Sequence, residues 1–315
     1  MDAGAALQAS AGLSSPTPAP PRLAAVPPDS GEHQVNEARG TTFKFCELFA
    51  GQGGLAKAMK REIPTCDIIA ADVYENWDIL SADGFTEAMA WAQEADYVHM
   101  AIPCRSFTKA RRSDQYGTVE VVRSEQRPEG WGHPLATEGN DIAKRCVEIA
   151  KVVRARGKWW TIENPVRSFL WDIKYIRKLR DGKQVVETVL DQCAYGSEYL
   201  KPTRLLGEAP WLSSLRKCCK DVAPHTHVTL EGKVLDYRTS PPELVWRTSL
   251  AAEYPEGLCS AWAQAVREAL SMQDGAQLPQ FVRIKPNVLV RKELVRSAPS
   301  TSGAEASGTT PASSS

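Results

Sequence analysis

The chain has 315 residues, enough for one large domain or two small ones. Its 38 basic and 38 acidic side chains cancel, so bulk charge gives no support to a nucleic-acid reader and leaves that role to a local patch. Hydrophobic residues at 43% and charged residues at 24% are ordinary globular values.

Residues 1–40, rich in Ala, Pro, Ser and Gly, read as disordered. Phe43 to Phe49 reads as a strand running into Ala50-Gly51-Gln52-Gly53-Gly54 and a helix, LAKAMKREI. Strand, glycine turn and helix N-terminus together make a unit suited to anions and nucleotides. CDIIAA (66–71) is a second strand ending at Asp72, residues 84–94 a helix, and 97–102 a strand ending at Pro103-Cys104. A long polar loop covers 105–133, a length uncommon unless functional. Helix 135–156, strand WWTIE (159–163) ending at Asn164-Pro165, helix 168–179 and strand 185–190 follow, and EGLCSAWAQAVREAL (256–270) closes the ordered part. This alternation predicts an α/β fold with a mainly parallel sheet. The tail from 271 reads as mostly disordered, interrupted by the apolar-basic FVRIKPNVLVRKELV.

In an open α/β sheet, ligands bind outside the carboxyl ends of the strands. Four strand ends carry unusual residues: the glycine turn, Asp72, Pro103-Cys104 and Glu163-Asn164. The turn lets backbone approach a ligand. Asp72 follows at about the spacing of a ribose-binding acid. Cys104 precedes Arg105, Lys109, Arg111 and Arg112, cations expected to lower a thiol pKa or to hold phosphates. Glu163 ends an apolar strand, where burial would raise its pKa and let it act as an acid. No run approaches a membrane span and no stretch has signal-peptide order. The expected setting is intracellular, the nucleus among its compartments, with free thiols or metal ligands rather than disulfides.

Glu47 to Gly54, Asp72, Pro103-Cys104-Arg105-Ser106-Phe107-Thr108 and Glu163-Asn164 resemble, in order, the motifs of the cytosine-C5 DNA methyltransferases. The similarity covers roughly residues 43–206 and extends weakly to YPEGLCSAWAQAV. It implies a Rossmann-like S-adenosylmethionine-dependent fold. Phe49, Ala50, Gly51, Gly53, Gly54 and Pro103 would bind S-adenosylmethionine, with Asp72 on its ribose. Cys104 would attack C6 of a flipped cytosine and Glu163 would hold the ring. In place of the family's Gln-x-Arg-x-Arg motif stands DQCAYGSEYLKPTRLL, whose Tyr195-Gly196 and Lys201-Pro202-Thr203-Arg204 resemble the nearby Tyr-Gly and arginine elements, with Arg204 the candidate arginine. Arg105 and Thr108 replace the usual Gln and Ser, and Pro165 the usual Val. The short interval between Arg204 and the closing segment looks like the reduced versions found in mobile-element reading frames.

The expected organisation is a catalytic core over 41–206, a small recognition-like region over 207–250, and a closing helix over 251–270 returning to the core. Cys193, Cys218, Cys219, His225 and His227 are candidate zinc ligands. The expected partner is nucleic acid, DNA ahead of RNA. The alternative to an active enzyme is an inactive methyltransferase-like domain that binds nucleic acid.

Overall fold

The centre of the fold is a six-stranded sheet with helices on both faces, described by a computed structural model over residues 42–73, 76–109, 120–237 and 240–275. Strands β1 (Lys44–Leu48), β2 (Asp67–Ala71), β3 (Tyr97–Ala101) and β4 (Trp159–Pro165) are mutually parallel. β5 (Val186–Asp191) and β6 (Pro202–Glu208) complete it in the order β2-β1-β3-β4-β6-β5, with β6 antiparallel to both neighbours. This is the expected α/β, Rossmann-like architecture. β6 is an addition to the sequence reading; the chain therefore stays in the sheet past residue 206, where the core was expected to end. The disorder expected of 1–40 and of the tail with FVRIKPNVLVRKELV lies outside the described residues, except that 271–275 continue the last helix.

Alternation along the strands builds two cores. Cys46, Leu48, Val98, Met100, Trp160 and Ile162 point to one face. There they meet α2 (Ala82–Glu94) and α3 (Pro134–Ala155), whose apolar stripe includes Ile142, Cys146, Ile149 and Val153. Phe45, Tyr97 and Leu205 point to the other, against α1 (Gly54–Glu62) and the last helix. Both faces being covered explains why these strands read as near-continuous apolar runs. Ser81 caps α2 by accepting the Gly84 N–H at 2.8 Å, and Pro134 opens α3 just after its cap, His133.

The helix expected over 168–179 is broken. A 3-10 turn (Phe169–Asp172) gives way to α4 (Lys174–Arg180) at Ile173, whose backbone is extended. Beyond the sheet come a small hairpin, β7 (Lys233–Asp236) and β8 (Glu243–Trp246), a short α5 (Arg247–Leu250) and α6 (Glu256–Gly275). No described helix is long and apolar enough to cross a membrane.

Candidate active site

Because β1 to β4 run parallel, their carboxyl ends share one edge, and the four groups of strand-end residues all arrive there. At the end of β1, Phe49 (φ +62°), Gly51 (+54°) and Gly53 (+66°) adopt left-handed backbone. Glycine bears this freely, whereas Phe49 is strained, and such strain is stored where the surroundings enforce it. Here the Phe49 and Ala50 N–H groups both donate to the Ala71 carbonyl (2.8 and 3.1 Å), and Gly51 N–H donates to Asp72 Oδ2 at 2.9 Å. Asp72 thus closes the glycine turn on the end of β2. A Cβ added at Gly51 or Gly53 would meet nothing, so the turn faces open space.

Beneath the turn, the buried Glu47 carboxyl accepts the Ala56 N–H at 2.9 Å in the first turn of α1. Burial raises its pKa to about 8, against the pull of that N–H. A carboxyl whose folded pKa exceeds its unfolded value of about 4.3 contributes stability at low pH and loses it as pH rises through the folded pKa. Glu47→Gln is therefore expected to match the parent's stability near pH 4. By pH 9 it should exceed the parent by on the order of a few kcal/mol in urea unfolding. Equal stability gaps at both pH values would show that Glu47 ionises normally in the fold.

Next to Asp72, a cavity of about 540 Å³ is floored by Ile69, Ala70 and Ala71 and walled by Trp77, Asp78 and Trp91. Trp77 N–H donates to the Asp72 carbonyl at 3.2 Å, and its ring meets Phe49 edge-on at 5.8 Å. Trp77 and Asp78 were not singled out from the sequence.

The Cys104 loop leaves β3 under tight control. Asn164, fully buried, donates from Nδ2 to the Ile102 carbonyl at 2.6 Å and so fixes the chain just ahead of Pro103. The Phe107 and Thr108 N–H groups donate back to the Cys104 carbonyl, and Phe169 N–H donates to the Phe107 carbonyl at 2.9 Å. A residue the sequence reading passed over, Arg123, locks the rest. It is 2% exposed. Its guanidinium donates to the Ser106 carbonyl and Oγ, the Pro128 and Ala136 carbonyls and Asn140 Oδ1, and lies 4.0 Å from the Phe107 ring centroid.

The electrostatics of Cys104 differ from expectation. The thiol is half-buried, and burial pushes its pKa up; Lys201 opposes that rise and Glu163 adds to it. Among the described residues, no cation of the loop lowers it. Arg105 points to solvent, and Lys109 is held by Glu125 (3.4 Å), Asp172 (3.9 Å) and the Phe169 ring. Arg111 and Arg112 lie outside the described residues.

Glu163 sits on the face of the sheet covered by α6. Register puts Glu47, His99 and Thr161 side by side across β1, β3 and β4, with Glu163 two residues beyond Thr161 on the same face. Its carboxyl is buried, Oε1 has no hydrogen-bond partner, and burial raises its pKa; Lys201 and a hydrogen bond from Tyr254 lower it. The Tyr254 hydroxyl is also 3.0 Å from His99 Nε2, His99 Nδ1 is 2.8 Å from Thr161 Oγ1, and Thr161 Oγ1 is 2.7 Å from the Tyr97 hydroxyl. Burial lowers the His99 pKa to about 3, so the ring is neutral. With Glu163 charged, Tyr97 donates to Thr161, Thr161 to His99 Nδ1, His99 Nε2–H to Tyr254, and Tyr254 to Glu163; a protonated Glu163 can donate to Tyr254 and reverse the row.

Arg204 does not join this group. It pairs with Asn164 in register, on the opposite face from Glu163, stacks 5.3 Å from the Trp171 ring and reaches Glu187 at 3.2 Å at an angle that makes no hydrogen bond. The cation that faces both Cys104 and Glu163 is Lys201, just ahead of β6. Of the five candidate metal ligands, Cys193, Cys219, His225 and His227 come together, their ligand atoms all within 4.8 Å of one another; Cys218 is outside the cluster.

No family model and no curated protein matches the chain. Among solved structures it is similar to the Entamoeba histolytica methyltransferase EhMeth, at 11% identity over 62% of this chain and 59% of that one, with a TM-score of 0.34. It is also similar to a mutant of Spodoptera frugiperda DNMT2, at 15% identity over 52% of this chain and 49% of that one, with a TM-score of 0.30. The matched part thus spans between about half and three-fifths of those proteins.

Proposed function

We propose that the chain is an S-adenosylmethionine-dependent methyltransferase acting at C5 of cytosine in DNA through a covalent adduct at Cys104. What carries the reading is the meeting at one sheet edge of a strained glycine turn closed by Asp72, a half-buried thiol, and a buried carboxyl with an unpartnered oxygen. The turn's open face, the Asp72 carboxyl and the aromatic rings of Phe49 and Trp77 fit an adenosine moiety: backbone N–H groups and a carboxyl for its polar edges, rings for its base. When bound, S-adenosylmethionine supplies a methyl group on a positively charged sulfur.

The residues then divide the work. Lys201 favours the Cys104 thiolate, which adds to C6 of a cytosine swung out of its stack. The ring's electrons move toward C5, making it nucleophilic, while protonated Glu163 donates to N3. After methylation at C5, loss of the C5 proton to a base expels the thiolate. Arg105, exposed beside Cys104, is available to a phosphate.

One observation favours a second reading, an inactive domain that binds nucleic acid: burial pushes the Cys104 thiol up rather than down. Methyl transfer from labelled S-adenosylmethionine to cytosine-containing DNA and RNA, with trapping on 5-fluorocytosine DNA, separates the two. Transfer and a trapped adduct support the enzyme. Cofactor and DNA binding without either selects the second reading, and no binding of either ligand removes both.

Tyr254→Phe tests the role of the hydroxyl beside Glu163. Without that hydrogen bond the Glu163 pKa rises further, so the limb of the kcat–pH profile set by Glu163 is expected to move to higher pH. An unmoved limb would limit Tyr254 to packing.

A further inference from the structure

The segment that follows the sheet poses a problem of stability. From Arg216 to Leu235 no described residue is buried, and the only regular pieces among those residues are a 3-10 turn (Cys219–Asp221) and the start of β7. A stretch of this length with no fully buried side chain has little to offset its ordering entropy. Yet it is tied down at its start. Cys219 N–H donates to Asp191 Oδ2 at 2.8 Å, Asp191 N–H donates to the Lys217 carbonyl at 2.9 Å, and Val228 N–H donates to the Glu198 carbonyl at 2.9 Å.

Between these ties lies the Cys/His cluster. Cys219 Sγ is 3.5 Å from His227 Nε2 and 3.9 Å from His225 Nε2, and the two Nε2 atoms are 3.0 Å apart. Two sulfurs and two nitrogens arranged tetrahedrally on zinc, at Zn–S of about 2.3 Å and Zn–N of about 2.05 Å, stand roughly 3.3–3.8 Å from one another. These three separations lie close to those edges, and all four ligand atoms, that of Cys193 included, fall within 4.8 Å of one another. The tautomer of His225 also fits. Its Nδ1 is 2.9 Å from the Ala223 carbonyl, which can only accept, so Nδ1 carries the proton and a neutral ring turns the bare Nε2 lone pair into the cluster. Cys218 is occupied otherwise, its side chain and backbone N–H both engaging Asp221 to cap the 3-10 turn.

We propose that Cys193, Cys219, His225 and His227 form a structural zinc site. Two thiolates and two imidazoles select a tetrahedral, borderline-soft divalent ion, and four protein ligands complete its shell without a position for substrate. The site staples the 216–235 segment to the 3-10 turn after β5 (Gln192–Tyr195), which carries Cys193. In that turn Gln192 N–H donates to the Lys201 carbonyl at 3.2 Å, so the metal also braces the backbone that presents Lys201. The proposal stands apart from the methyl-transfer reading and holds for an inactive domain equally.

The test is the metal content of the full chain, purified under reducing conditions and measured by inductively coupled plasma mass spectrometry. Roughly one zinc per chain is expected. Cobalt(II) exchanged into the chain should show the intense visible bands of a tetrahedral site with a thiolate charge-transfer band. Cys219→Ser and His227→Asn should each lose most of the metal, and Cys218→Ser should keep it. A parent chain that carries no zinc and takes up neither zinc nor cobalt(II) overturns the proposal, however the variants fold. A Cys218→Ser variant that loses metal as fully as Cys219→Ser overturns the assignment of ligands.

Discussion

Cys104→Ser is expected to lower methyl transfer by roughly 10³-fold or more, because a serine hydroxyl is a far weaker nucleophile toward C6 than a thiolate. Its effect on stability should stay within about 1 kcal/mol, since the side chain is half-buried and the change is one atom. Glu163→Gln gives the complementary result. It should lower the rate by about 10²–10⁴-fold, the usual scale for a lost general acid. Its stability should move the other way. The folded pKa of Glu163 lies above the ordinary carboxyl value, so its contribution is present at low pH and lost as pH rises through the folded pKa. Gln carries no charge to bury, and the variant should therefore gain on the parent as pH rises above the ordinary carboxyl range. A variant less active and more stable is the mark of a group kept for chemistry. A Cys104→Ser protein that methylates at the parent's rate, measured with labelled cofactor, would remove Cys104 from the mechanism.

Arg123→Met should cost about 3–4 kcal/mol and lower the melting temperature by about 10 °C. The methionine leaves the Ser106 and Ala136 carbonyls without the donor that satisfies them now, and it gives up the guanidinium stacked on Phe107. Arg123→Lys should recover little, because an ammonium cannot bridge three carbonyls, a hydroxyl and an amide oxygen from one planar group. Hydrogen exchange should speed up at the Phe107 and Thr108 amides, which close the Cys104 turn. A melting temperature within about 2 °C of the parent would show that the loop holds without its arginine.

Which parts of this were visible in the chain follows from how each signal arises. FKFCEL, CDIIAA, YVHMAI and WWTIE are apolar because the sheet is covered on both faces, and each ends where a parallel strand must end, so the strands and their shared edge could both be read. β6 could not. Pro202 and Gly207 interrupt it, and Gly207 is required because a side chain there would overlap the Trp160 carbonyl. Arg123 reads as one more cation in a polar loop. Its burial depends on Gly139 of α3, where a Cβ would overlap Ser106 Oγ and crowd Arg123, and that proximity is tertiary. Lys201 and Arg204 sit three residues apart in one motif, and only strand direction and face tell them apart. Cys218 and Cys219 are neighbours whose roles separate through a backbone cap. His99 reads as part of an apolar strand, and its link to Glu163 passes through Tyr254, 155 residues away.

The reversal of β6 has a consequence for how this edge of the molecule can vary. A parallel strand delivers to the site the residues that leave it, as β3 delivers Cys104 and β2 delivers Asp72. β6 runs the other way, Thr203 lying opposite Pro165, so it delivers the residue that enters it. Lys201 is therefore the last residue of a connection, and its place is set by the path from Gly196 onward as much as by the sheet. The Gln192 N–H to Lys201 carbonyl bond ties that entry to the end of β5, so an insertion between Gly196 and Ser197 that kept the bond would leave in place the one cation, among the described residues, that opposes the pKa rise of both Cys104 and Glu163. Nucleophile and acid are thus anchored by strands that leave this edge, and the charge that tunes them by the strand that enters it.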